Sequence, residues 1–201
     1  QLDDRPDAVA VVRVDRAGGV TVVSIPRDLA VREPRFPVSR LSDLTDPSEL
    51  VAAVEEIGIP VDHVVTVEPD GFVAAVAAVG GVPISVPVAL RDRATGLDLA
   101  PAACTTLDGE AALALVRARH VESLVDGTWR TDPTGDLGRI ARQQAVAAAA
   151  LGALAGAGAD PAELWGLSGV LADHAVLDGG FTDERLVAVA PMAEFLTGRE
   201  L

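Results

Sequence analysis

The sequence predicts an α/β domain in which strands and helices alternate. Three observations carry this. Short Val-rich runs with period-two alternation recur in the first half of the chain. Between them lie capped runs with helical apolar spacing. Of the 201 residues, 49% are apolar, enough for a sizeable core. That core must be built from small and branched side chains, because aromatics make up 3% and Tyr is absent.

Taken in order, residues 8–14 and 20–25 read as two strands, a hairpin or adjacent pair, joined through Ala17-Gly18-Gly19. Pro26 ends the second. Residues 29–47 hold Pro34, Pro37, Pro47 and several charges, and predict an irregular surface loop. Asp46-Pro47-Ser48-Glu49 opens a helix: Asp46 or Thr45 caps it, Pro47 suits the first turn, and Glu49 suits the positive end. Leu50, Val51, Val54 and Ile57 continue it and Gly58 stops it. A strand follows over 61–67, then a helix over 70–79 closed by Gly80-Gly81. Residues 82–88 contain Pro and suit an edge strand. Helix is predicted over 108–115, extended chain over 115–119, and a polar loop holding Trp129 over 121–135. The longest helix runs from Asp136 to about Leu154. Two more helical patterns, 160–173 and 182–196, follow. With no internal repeat, residues 1–201 read as a single domain, with the motifs in 5–154 and a C-terminal helical part in 159–201.

The net charge of −14 repels nucleic acid and argues against general DNA binding. All sixteen basic residues are Arg, a bias that G+C-rich codon usage explains. Any anion must then be held by Arg, backbone N–H groups or a metal. Arg suits this, since its planar fork bonds two phosphate oxygens at once. Cys104 stands alone, which excludes an internal disulfide; it is expected to pack. No run of eighteen apolar residues occurs, so the chain reads as soluble or as anchored from outside the segment given. His63, His120 and His174 lack metal-ligand spacing and read as structural.

Three short segments concentrate unusual chemistry. Ser24-Ile25-Pro26-Arg27-Asp28 ends an apolar strand, where α/β loops usually carry function. Arg117-Ala118-Arg119, if extended, points two guanidinium groups to one side, an arrangement that an anion makes favourable. In the segment from Gly135 to Gln144, Asp136, Arg139 and Gln143 share one face at the start of a helix, where phosphate is favoured. Each segment alone also fits an ordinary surface role: an ion pair, a solvated strand face, an N-cap.

Together and in this order, the segments resemble the LytR-CpsA-Psr family. The resemblance rests on Pro6-Asp7-Ala8, on Ser24 to Asp28, on Val61-Asp62-His63-Val64 and on Gly80-Gly81-Val82. It continues through Leu107-Asp108-Gly109-Glu110-Ala111-Ala112-Leu113, Arg117-Ala118-Arg119 and Asp136 to Gln144. It covers roughly residues 5–154 and, more weakly, 181–196. Two positions depart from the family pattern: Ala8 stands for a Thr, and Arg40-Leu41-Ser42 for a Lys-Ile-Asn element.

The resemblance implies a three-layer α/β/α fold around a central mixed sheet. It also implies a groove for a polyprenyl tail and a pyrophosphate pocket in which Arg27, Arg117, Arg119 and Arg139 contact the pyrophosphate. Asp7 is expected to hold a divalent cation, Mg²⁺. Asp136 and Gln143 are expected to orient Arg side chains and the acceptor hydroxyl, with Asp136 a candidate general base. Asp28 supports the Arg cluster, and Arg142 joins the substrate-binding set.

The implied activity is that of a phosphotransferase-type ligase. It moves a glycan phosphate from a polyprenyl-pyrophosphate carrier to peptidoglycan, at the extracytoplasmic face of the membrane or in the cell wall. A membrane anchor N-terminal to this chain is part of the same expectation. The alternative is a non-catalytic module that binds lipid-linked precursor or wall glycan; Ala8 and Ser42 motivate it. A transcriptional regulator is disfavoured by the charge and by the lack of a helix-turn-helix pattern.

Overall fold

The structure, a computed structural model, describes residues 5–14, 20–33, 36–156 and 174–178. The connector Ala17-Gly18-Gly19 and the helical patterns expected over 160–173 and 182–196 lie outside these residues.

Strands β1 (Val9–Val14) and β2 (Val20–Ile25) pair antiparallel, with Val9 opposite Ile25 and Val14 opposite Val20. Val9, Val11 and Ile25 point to a core, while Val12 and Val22 lie exposed opposite each other. After Pro26 the chain turns, Leu29 N–H donating to Pro26 O at 2.9 Å.

The next segment corrects the expected loop. It forms β3 (Ala30–Glu33), β4 (Phe36–Arg40) and a 3-10 turn, Leu41–Asp43. Pro37 did not prevent pairing: it falls between Phe36 and Ser39, where the register of the ladder shifts. Leu41 and Leu44 are buried with Val31 and Ile25. Leu41 N–H donates to Leu29 O and Ser42 N–H to Arg27 O at 2.8 Å, so this turn braces the Arg27–Asp28 loop from below.

Helix α1 (Pro47–Glu56) is capped by Asp46, whose carboxylate accepts from Ser48 N–H and Oγ–H. Strand β5 (Val65–Val67) is shorter than the apolar run suggested. Helix α2 (Pro69–Ala78) ends at Gly80 and Gly81, both at positive φ. A Cβ on Gly81 would also lie 2.8 Å from Leu107 O, so this turn requires glycine twice over.

Strands β6 (Val82–Val86), β7 (Leu90–Asp92), β8 (Leu97–Leu99) and β9 (Ala102–Leu107) follow. Cys104, expected to pack, is exposed on β9. Helix α3 (Gly109–Arg117) starts at Asp108, whose carboxylate accepts from Ala111 N–H. Here a second expectation is corrected. The 115–119 segment is not a strand: helix continues to Arg117, and Ala118 breaks it at φ −61, ψ 125. Ala112, Leu115 and Ala118 are buried at helical spacing, and this apolar pull outweighs the Val-Arg-Ala-Arg alternation.

The expected polar loop over 121–135 is a hairpin, β10 (Glu122–Val125) and β11 (Thr128–Thr131). Asp126 and Gly127, at φ 50 and 72, make its type I′ turn. Trp129 is an anchor: Arg91 stacks on it at 3.9 Å and bonds Glu122 at 2.8 Å. Helix α4 spans Asp136–Gly156, and β12 (Ala175–Leu177) pairs with β5.

The α/β class is as expected. Among the described residues the sheet structure consists of antiparallel ladders: β1–β2, β3–β4, β6–β9, β5–β12 and the four-stranded β11–β10–β7–β8. One core joins Val82, Val86, Leu107, Leu115 and Val146 beneath α2, α3 and α4. The other lies between β1–β3, the Leu41–Asp43 turn and α1. The predicted Arg residues fall where these two halves face each other through residues 5–8, α3 and α4.

Candidate functional site

Four elements deliver the site. The segment before β1 brings Asp7; the turn after β2 brings Arg27 and Asp28; the end of α3 brings Arg117 and Arg119; the first turns of α4 bring Asp136, Arg139, Arg142 and Gln143.

Asp7 is the hub. Its carboxylate takes Arg117 Nε at 2.8 Å on one oxygen and Arg27 Nη1 at 3.5 Å on the other. Arg27 also donates to Pro6 O at 3.2 Å. Gln143 Nε2 donates to Asp7 O at 3.4 Å and to Val116 O at 3.1 Å, tying α4 to both the N-terminal segment and α3. Gln144 Nε2 reaches Ser24 Oγ at 3.1 Å.

Arg139 is only 3% exposed. Its Nη2 lies 2.5 Å from Asp136 Oδ1, one helical turn back. Burial lowers its pKa, Asp136 opposes that, and the charges of Arg119 and Arg27 lower it further. Arg139 therefore senses both of those guanidinium groups, and Asp28 as well. Asp28 itself pairs with Arg40 at 3.6 Å, both of them exposed. The Arg at the position of the family's Lys-Ile-Asn element thus still brings a cation to the loop. Arg119 is exposed, and its guanidinium has no partner among the described residues. The Nε atoms of Arg27, Arg139 and Arg142 are buried and likewise unbonded there.

Arg142 is differently occupied. Its Nη1 meets Asp132 at 2.9 Å and its Nη2 donates to Ala118 O at 2.9 Å. Hydrogen bonding from Thr134 holds the Asp132 carboxyl below the usual range, against its partial burial. Gly138 explains itself here: a Cβ would collide with Thr134 Oγ1 and lie 2.6 Å from Asp132 Oδ2. Arg142 and Gln143 thus hold backbone carbonyls at the C-terminal end of α3, Ala118 O and Val116 O.

The structure brings Arg27, Arg117, Arg119 and Arg139 together, against two near carboxylates, Asp7 and Asp136. In a chain of net charge −14, this local excess of cations has the chemistry to attract a dense anion. Asp7 does not form a metal cage with its described neighbours. Both its oxygens face guanidinium groups, and no group of three or more His, Cys, Asp or Glu suited to a metal occurs among the described residues.

The sequence missed Asp92. It is 1% exposed, and it accepts hydrogen bonds from the N–H groups of Arg119 and His120. Set among Arg91, Arg93 and Thr95 it looks like part of a solvated turn, and nothing local betrays its burial.

A sequence profile of the LytR_cpsA_psr family matches residues 1–173. The chain belongs to this family. Two curated relatives come from Corynebacterium glutamicum. The cell wall biosynthesis protein LcpA is 30% identical over 89% of this chain and 39% of its own length. The probable cell wall biosynthesis protein LcpB is 33% identical over 70% of this chain and 32% of its own length. The chain thus spans about two fifths or less of these relatives. Among solved structures, the LytR-Csp2A-Psr enzyme from Actinomyces oris superposes with a TM-score of 0.85 at 34% identity, over 96% of this chain and 72% of that one. Family membership places the sequence motifs in a common frame, and the α/β fold agrees with it.

Proposed function

We propose that the chain is the catalytic part of a cell-wall glycopolymer ligase. It takes a glycan from a polyprenyl-pyrophosphate carrier and attaches it, through a phosphate, to a hydroxyl of peptidoglycan. The names of the two Corynebacterium relatives support a role in cell wall biosynthesis. The observation that carries the reading is the Arg cluster, four guanidinium groups with Arg119 exposed and uncommitted among the described residues.

In this reaction the acceptor oxygen attacks the sugar-linked phosphorus. A new O–P bond forms, and the bond to the bridging oxygen breaks. The leaving polyprenyl phosphate takes the electron pair, and the hydroxyl proton passes to a base. Negative charge builds on the leaving phosphate, and Arg117, Arg119 and Arg27 neutralise it where it develops. Asp136 holds Arg139 through one oxygen, which makes orientation of that Arg its first task. Asp28 keeps Arg40 at the loop.

Mg²⁺ needs more oxygen ligands than Asp7 supplies, and usually completes its shell with waters and substrate phosphates. Calorimetry is expected to give no Mg²⁺ binding by the chain alone and binding once inorganic pyrophosphate is present.

No described helix is long and apolar enough to cross a membrane. The proposed setting is the extracytoplasmic face of the membrane, where carrier and peptidoglycan meet, with attachment through a segment N-terminal to this chain.

The test is transfer: the chain, a short-chain polyprenyl-pyrophosphate glycan and purified peptidoglycan are incubated together. Release of polyprenyl phosphate with glycan on the insoluble wall supports the ligase, and Arg119→Ala is expected to abolish it. Binding of the carrier without transfer would favour a non-catalytic precursor-binding module.

A further inference from the structure

We propose that Asp92 is a positioning residue that locks the backbone of the Arg117–His120 turn, so that Arg119 faces the pyrophosphate while Asp92 touches no substrate. This rests on reading the Arg cluster as the pyrophosphate site.

Asp92 ends β7, opposite Leu97, with 1% of its surface exposed. Among the described residues no Arg or His side chain makes a hydrogen bond or ion pair with it, although the His120 imidazole lies close enough to act through its charge. Its partners are backbone: Oδ2 accepts Arg119 N–H at 2.9 Å and His120 N–H at 2.8 Å, and Oδ1 accepts Ala94 N–H at 2.9 Å. A buried carboxylate is costly unless fully bonded. Three convergent N–H donors need an acceptor-only group, which an ionised Asp is and an Asn is not. Burial pushes the Asp92 carboxyl up, but those three bonds, with the charge of His120, outweigh it and hold the carboxyl below its usual range.

The same turn is gripped from the other side. Val116 O accepts from Gln143 and Ala118 O accepts from Arg142 at 2.9 Å, both from α4. The peptide before Arg117 and the peptides on both sides of Arg119 are thus fixed from two elements, β7 and α4. The Arg119 guanidinium is left without a partner among the described residues. A rigid backbone under an uncommitted cation is preorganisation: the ordering cost is met in folding, before the anion arrives. Sealing the turn for stability alone would not require the Arg119 side chain to remain available, while its neighbour Arg117 is held by Asp7.

The test is a double-mutant cycle on inorganic pyrophosphate affinity, by calorimetry, with melting followed in parallel. Asp92→Asn keeps the volume and loses the acceptor-only character. It is expected to weaken binding about ten- to hundredfold, as misplacement by a fraction of an ångström to an ångström does. Arg119→Ala is expected to weaken it comparably. The double variant should bind no worse than Arg119→Ala alone, because Asp92 acts through Arg119.

Native affinity in Asp92→Asn with a lowered melting temperature, or fully multiplicative effects, overturns the proposal. If Asp92→Asn does not fold, Arg142→Met removes the opposing grip on Ala118 O and must show the same non-additivity. If the native chain takes no pyrophosphate at all, the proposed function falls, and the positioning role is read from amide exchange instead. The Arg119 and His120 amides must then exchange slowly in the native chain and fast in Asp92→Asn, with α1 unchanged; unchanged exchange overturns it.

Discussion

Replacing Asp136 by Ala removes the counter-ion from a guanidinium that the fold has buried. Arg139 is 3% exposed, its Nη2 sits 2.5 Å from Asp136, and its Nε has no partner among the described residues. The charges of Arg119 and Arg27 already disfavour its protonated form. Removing one member of a buried pair typically costs about 3–5 kcal/mol, because the other charge stays behind without compensation. The Asp136 side chain is 35% exposed, so water screens part of the interaction. Screening brings the cost below that range, to about 2–3 kcal/mol, or roughly 4–12 °C in melting temperature for a chain of this size. Denaturant unfolding followed by circular dichroism measures it. Arg139→Met, which removes the charge itself, should cost less. The double variant Asp136→Ala/Arg139→Met should be more stable than Asp136→Ala by at least about 1 kcal/mol. A stability within about 0.5 kcal/mol of native for Asp136→Ala, or a double variant no better than it, would refute the claim that this pair anchors the cluster.

Other perturbations separate function from stability. Arg119→Ala removes an exposed, uncommitted side chain, so unfolding should shift by less than about 0.5 kcal/mol. Pyrophosphate affinity in calorimetry should nevertheless fall about ten- to hundredfold, the worth of one or two charge-assisted bonds. The folded pKa values of Asp92 and Asp132 are depressed, so the stability they contribute is present above the unfolded carboxylate value of about 3.9 and lost as pH falls through the folded values. Acid unfolding followed by circular dichroism should therefore begin below about pH 4, and Asp92→Asn should flatten that limb. Gly109→Ala puts a Cβ 2.5 Å from Val73 O, where α3 crosses α2, and should destabilise by about 1–3 kcal/mol in denaturant titration.

Local chemistry was the legible part of the fold. Asp46 capping α1 and Gly80-Gly81 closing α2 were visible because a few adjacent residues decide them. The Asp126-Gly127 turn carried the same kind of signal, but Glu122, Ser123, Thr128 and Arg130 made its flanks look like solvated loop. Residues 29–47 misled in the same way, since their prolines and charges conceal how Val31, Leu41 and Leu44 are drawn into a distant core. At the candidate site, motif order named Arg27, Arg117, Arg119 and Arg139, which the fold brings near one another. How they are presented was not legible. Val116 to Arg119 fits both period two and helical spacing over four residues, and only the burial of Leu115 and Ala118 decides between them. Asp92 was invisible because its role lies in three backbone N–H groups, which no residue identity announces.

A crystal structure of the chain with a short prenyl pyrophosphate and Mg²⁺ tests the central claim most directly. The prediction is a pyrophosphate within hydrogen-bond distance of Arg27, Arg117, Arg119 and Arg139, with Asp7 drawn off its two arginines toward the cation. A headgroup bound elsewhere, such as the roughly 570 Å³ hollow lined by Arg130, Asp132 and Arg142, with the Asp7 pairs intact, would contradict it.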